Sequence, residues 1–156
     1  MARPRALERP VPVEVSLFFE AEPEAVRRAL QRLMLELQPH GLDDDLLSTI
    51  ELVVAEALNN IVEHAHASHQ GAISLRARTV AQRVQFELLD QGLPMPGGDP
   101  PPGQAAVVDV AVQDLPEGGF GWFLIRSLSQ DLRYSREGDT NRLCFSLSLQ
   151  PHTIGA

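Results

Sequence analysis

The chain has 156 residues, enough for one packed core and too few for two comfortable domains. Hydrophobic residues make up 44% and charged residues 22%, an ordinary globular balance that excludes disorder as the whole answer. A formal charge of −8 argues against direct nucleic-acid binding, although Arg3, Arg5 and Arg9 stand against Glu8 near the start.

Residues 11–19 alternate, with Val11, Val13, Val15, Leu17 and Phe19 on one side, and this period of two predicts a strand. Glu22, Pro23 and Glu24 open a helix whose apolar face is Val26, Leu30, Leu33 and Leu37 and which Pro39 and Gly41 stop. A second helix is predicted from about Asp43 to about His64. Asp43, Asp44 and Asp45 lie at its positive end, and Leu46, Ile50, Val53, Val54, Ala57 and Ile61 form its apolar arc. Ala72–Arg78 and Arg83–Leu89 alternate as two strands close enough for a hairpin.

From Gly92 to Gly103 nine of twelve residues are glycine or proline, which predicts a loop without regular structure. It runs on to about Glu117. A loop of that length inside a compact domain is usually a lid, a binding loop or a disordered link. A third helix is expected over about Gly121–Gln130, then strands near Leu132–Arg136 and Arg142–Leu149. The order predicts an α+β fold: a two-layer α/β sandwich with a mostly antiparallel sheet, helices on one face and a long lid. The domain is expected over 11–150, with tails at 1–10 and 151–156.

Three absences narrow the chemistry. A single cysteine, Cys144, allows no internal disulfide and no multi-cysteine zinc cluster. No run of about 18 apolar residues and no leader-like stretch is present, so the expectation is a cytoplasmic protein without a membrane span. All thirteen basic residues are arginine, which excludes a Walker-type phosphate loop, the strand lysine of eukaryotic-type protein kinases and Schiff-base chemistry. Any phosphate must be held by other means.

Within the second helix, Glu56, Asn60 and His64 are spaced by four, so they rise in one line along the shoulder of the apolar arc. Polar groups there must find partners or line a cavity. Asp90-Gln91-Gly92 follows a strand, where a carboxylate can accept from an amine and a glycine lets backbone approach a flat ring. Glu117-Gly118-Gly119-Phe120-Gly121 opens a helix, where glycines expose N–H groups to an anion without any lysine. Each piece alone is common turn or loop chemistry. His64, His66 and His69 with Glu63 could suggest a metal site, but His64 and His66 differ by about 200° on a helix, and a solvated loop is the plainer account.

Taken together and in this order, the three pieces resemble the GHKL (Bergerat-type) ATPase fold of gyrase-type topoisomerases, Hsp90 and sensor histidine kinases. More narrowly the chain resembles the RsbW-type branch of serine-protein kinases and anti-sigma factors, from about residue 11 to 149. The strongest stretches are Ala55–Ala65, Asp90–Pro94 and Leu115–Leu128.

The resemblance implies that Glu56 is the general base, that Asn60 holds Mg²⁺ on ATP, that Asp90 accepts from the adenine amine with Gly92 against the ring, and that Gly119 and Gly121 donate N–H groups to the phosphates. It also implies a sigma factor, an anti-sigma-factor antagonist and a second copy of the chain as partners. Departures are Pro94, where the superfamily often has glycine, and Asn141 and Arg142, where relatives place an adenine-side threonine, with Thr140 one residue away. Retention of Glu56 and Asn60 favours a kinase; the proline-rich lid favours the alternative, a non-catalytic partner-switch module. A sensor histidine kinase would need a separate helical phosphoacceptor domain.

Overall fold

The computed structural model describes residues 12–66, 70–101 and 119–149. The N-terminal and C-terminal tails, His69, most of the lid and Glu117-Gly118 lie outside the described residues.

Strand β1 (Glu14–Glu20) follows the predicted alternation, with Val13 and Val15 buried and Glu14, Ser16 and Phe18 outward. Helix α1 (Pro23–Leu37) has Pro23 at its first position and Glu24 in its first turn. It buries Val26, Leu33 and Leu37. A 3₁₀ turn (Gln38–His40) then runs into Gly41 at φ 70°, the left-handed conformation that ends helices and that glycine adopts without penalty.

Helix α2 (Asp44–Asn60) is capped by Asp43, whose carboxylate accepts from the Asp45 N–H at 3.1 Å. The expected helix to His64 is corrected here. The α-helix stops at Asn60, and Ile61–Ala65 form one wider π-helical turn in which the His66 N–H reaches back to Ile61 O at 3.2 Å. At the end of that turn the Ala65 carbonyl, which has no partner within the helix, accepts from the Leu93 N–H at 2.9 Å.

Strands β2 (Ala72–Val80) and β3 (Arg83–Asp90) form the expected hairpin. The loop after β3 is not wholly irregular: Pro96–Gly98 make a 3₁₀ turn with Gly97 and Gly98 at φ 76° and 77°. Helix α3 (Gly119–Leu128) begins two residues earlier than the apolar pattern suggests. Strands β4 (Gln130–Glu137) and β5 (Thr140–Ser148) close the chain as a second hairpin.

The five strands lie in the order β1-β2-β3-β5-β4, every neighbouring pair antiparallel. Ile73, Leu75, Val84, Phe86, Leu88, Leu143, Phe145 and Leu147 face the helices and build one core with Leu33, Ile50, Val53, Trp122 and Ile125. Phe86 and Phe145 pair across β3 and β5 with stacked rings 5.3 Å apart. The other sheet face is mixed, with charged residues such as Arg76, Glu14, Glu87 and Arg142 beside the exposed Phe18. The fold is therefore the two-layer α+β sandwich expected from the pattern. No helix among the described residues is long and apolar enough to cross a membrane.

Candidate functional site

Two strands deliver polar groups to the inner face at the same end of the sheet. On β3 the buried alternation Val84, Phe86, Leu88 ends in Asp90; on β5 the alternation Leu147, Phe145, Leu143 ends in Asn141. The register pairs Asp90 with Asn141 directly, so two polar side chains stand where the apolar ladder would continue. Both are buried.

Asp90 Oδ1 accepts from the Gly92 N–H at 2.8 Å and from Asn141 Nδ2 at 3.0 Å. The ring of His66, whose side chain is 1% exposed, brings Nε2 within 3.3 Å of the same oxygen, although neither ring nitrogen makes a well-aligned hydrogen bond. Gly71 leaves the space for that ring, since a Cβ there would lie 2.4 Å from His66 Cε1. His66 therefore does not belong to a solvated loop: the π turn swings it inward against Asp90.

From the helical side, Glu56 and Asn60 meet the first turn of α3. A Cβ on Gly121 would lie 2.6 Å from Glu56 Oε2 and 3.7 Å from Asn60 Nδ2. Burial, and secondly the charge of Glu63, raises the Glu56 carboxyl above its ordinary pKa. Asn60 is 8% exposed and its amide nitrogen has no hydrogen-bond partner among the described residues. A buried amide without a partner is uncommon and points to a group that completes it.

Between these two clusters lies a cavity of about 530 Å³, within the size range of small-ligand sites. Asn60, His64, Asp90 and Asn141 supply its polar groups; Ile61, Leu93, Met95, Trp122 and Leu143 supply apolar walls. A wider hollow of about 1110 Å³ lies along β4, β5 and the β2–β3 turn, lined by Arg83, Arg133, Arg142 and Cys144. It contains neither Asn60 nor Asp90, both of which line the smaller cavity, where polar groups converge.

Of the residues singled out by pattern, Asn60 and Asp90 line this cavity, whereas Glu56 and Gly121 do not line it and meet each other beside Asn60. Gly119 opens α3. Gly92 does not line the cavity; its lack of a side chain is required elsewhere, because a Cβ would lie 2.3 Å from Ala65 O. His64 is exposed at the cavity's margin rather than in line with Asn60, a consequence of the π turn.

Residues 19–147 match the family described as Histidine kinase-like ATPase domain. The chain belongs to this family. The serine/threonine-protein kinase BtrW of Bordetella bronchiseptica is 31% identical over 106 residues, 67% of this chain and 72% of the relative. The serine-protein kinase RsbW of Bacillus cereus is 25% identical over 129 residues, 81% and 79% of the two chains. The crystal structure of the RsbU and RsbW domains of Rv1364c from Mycobacterium tuberculosis shares the fold with a TM-score of 0.56 at 15% identity. That match covers 87% of this chain, which spans about a third (32%) of the two-domain structure.

Within this histidine kinase-like ATPase domain, three residues of the site carry no motif of their own. Tyr134 donates its hydroxyl proton to Asn141 Oδ1, Arg136 donates to the same oxygen, and His66 abuts Asp90. The phase of the β4–β5 hairpin was the available signal for Tyr134, because it lies opposite inward-facing Leu143. The same phase separates Asn141, which is in the site, from Thr140, which pairs with Glu137 next to the hairpin turn. Nothing in local sequence marks His66, whose position depends on the π turn.

Proposed function

We propose that this domain binds ATP with Mg²⁺ and transfers the terminal phosphoryl group to a serine or threonine of a small anti-sigma-factor antagonist. In the same scheme it sequesters a sigma factor, acts in the cytoplasm and works as a homodimer over residues 11–150. The single observation that carries the reading is that buried Asn60 and Asp90 line one cavity, with Glu56 and Gly121 of the first turn of α3 meeting beside Asn60. The naming of its relatives as serine-protein kinases supports the same reaction.

The donor set fits the cofactor. The unpartnered amide nitrogen of Asn60 is a donor and suits a phosphate oxygen, while its amide oxygen would hold Mg²⁺, since one protein oxygen suffices for a cation that keeps water and phosphate as its other ligands. When bound, Mg²⁺ neutralises charge on the phosphates. Asp90 accepts the amine of the base, with Leu93 and Met95 as apolar cover. Gly119 and Gly121 present N–H groups at the positive end of α3 to the phosphate oxygens. Glu56 takes the proton of the attacking hydroxyl; its raised pKa strengthens it as a base.

Calorimetric titration of ATP, with and without Mg²⁺, into wild type and Asp90→Asn tests the site. Binding by wild type that is lost in Asp90→Asn supports it; no binding by well-folded wild type overturns it. Transfer of labelled phosphate to a co-purifying antagonist then separates a kinase from a partner-switch module that binds ATP without transfer.

A further inference from the structure

Asn141 makes more polar contacts than any other side chain at the base end of the cavity. Its amide nitrogen lies 3.0 Å from Asp90 Oδ1, 3.0 Å from Leu93 O and 3.2 Å from Gly92 O. Its oxygen accepts from the Tyr134 hydroxyl at 2.5 Å and from Arg136 Nη1 at 2.8 Å. The Tyr134 oxygen itself accepts from the Met95 N–H at 2.9 Å, so its own proton is free for Asn141. Arg136 Nη1 also donates to Gly92 O at 2.9 Å.

This network leaves the amide one orientation. Turned over, it would set an NH₂ group against two donors and a carbonyl oxygen against a carboxylate and two carbonyls. Asp90 Oδ1 therefore always meets a donor from Asn141 as well as the Gly92 N–H. A carboxylate held in place by these donors offers a ligand its acceptor oxygens.

We infer that Asn141, locked by Tyr134 and Arg136, is the specificity-determining positioning residue of this cavity. It makes the cavity select a base with an amino group over one with a carbonyl at the same ring position. Asn141 acts through Asp90, whose remaining acceptor capacity rewards an amine and repels a carbonyl. A site built to hydrogen-bond one partner rejects the analogue that leaves its groups unpaired. The inference rests on reading the cavity as a nucleotide site, and its test keeps the two apart.

ATP and inosine triphosphate differ at one place on the base, where the amine becomes a carbonyl and the neighbouring ring nitrogen gains a hydrogen. Both are titrated calorimetrically, with Mg²⁺, into wild type, Asp90→Asn, Asn141→Leu and Tyr134→Phe, with circular dichroism to verify folding. Wild type is expected to prefer ATP. Asn141→Leu should weaken ATP by about tenfold or more and inosine triphosphate by about twofold or less, so the preference collapses. Tyr134→Phe, which removes one of the two donors that hold the amide oxygen, should fall between. A purely structural role would weaken both nucleotides equally, and an unchanged preference in the folded variants overturns the inference. If Asn141→Leu does not fold, Tyr134→Phe decides alone. Wild-type binding that is lost in Asp90→Asn, with selectivity intact in the other two, rejects the role of Asn141 but keeps the nucleotide site. Wild-type binding of neither nucleotide rejects both.

Discussion

Glu56 is held between two demands. It must be ionised to accept a proton, yet it lies against Gly121 in surroundings that disfavour its charge. The folded protein therefore binds more protons at this carboxyl than the unfolded chain does. Its contribution to stability falls as pH rises from about the ordinary value of 4.5 through the raised folded value. Glu56→Gln should remove that slope, seen as a smaller loss of urea stability between pH 5 and pH 7.5. The same variant should retain ATP affinity and lower transfer by about a hundredfold or more, while wild-type transfer should climb with pH across the same window. Gly121→Ala tests the neighbour. Its methyl group would meet the movable end of Glu56 rather than backbone, so the protein should fold normally while the carboxylate is displaced. Transfer measured at saturating ATP should drop severalfold or more with little change in the urea midpoint. At this scale Asp90 was legible at the end of an alternating strand, whereas Asn141 stood out only as a departure from the resemblance, and its place in phase with Leu143 came from the register. The sequence was silent on His66, because the contact with Asp90 depends on a turn that periodicity does not encode.

The elements were legible where local chemistry and tertiary packing agree. The caps of α1 and α2, the hairpins and the antiparallel order all follow from residues such as Pro23, Asp43 and Gly41. The misread boundary was the end of α2. Residues 61–65 contain no proline or glycine to signal a break, and the carbonyl that ends the π turn, at Ala65, is held by Leu93 from the segment after β3. The segment after β3 thus grips the end of α2, and Gly92 permits it. Gly92→Ala would drive a methyl group into backbone at Ala65, which cannot swing away as a side chain can. The expected cost is about 1–3 kcal/mol of unfolding free energy, measured by urea denaturation. A variant as stable as wild type would mean that this grip contributes little. The proline-rich stretch was legible as a loop, and its first turn at Pro96–Gly98 was not, because glycines at positive φ fold locally without any hydrophobic pattern.

On the scale of the whole molecule, the two sheet faces have different duties. The inner face carries the core and, at one end, the polar groups of the cavity. The outer face carries ion pairs such as Arg76–Glu14 and Arg142–Glu87, exposed enough that each contributes about 1 kcal/mol or less. Ligand binding at the inner face should therefore outweigh them in setting stability. With Mg²⁺ and ATP at about a hundred times the dissociation constant, the unfolding free energy should rise by about 2.7 kcal/mol. Asp90→Asn should show no such rise under the same conditions.

The only tryptophan in the chain, Trp122, stands in the wall of this cavity and is 5% exposed. Its indole is thus a built-in optical probe. Intrinsic emission, excited selectively at the red edge of the absorption band, comes from one site and needs no label. A base or phosphate arriving beside it changes the polarity and quenching that the ring experiences, so occupancy can be followed in real time through stopped-flow mixing. Events on the outer face, such as the docking of another protein there, should leave the same signal nearly constant. One residue thereby separates what happens inside the cavity from what happens on the opposite surface.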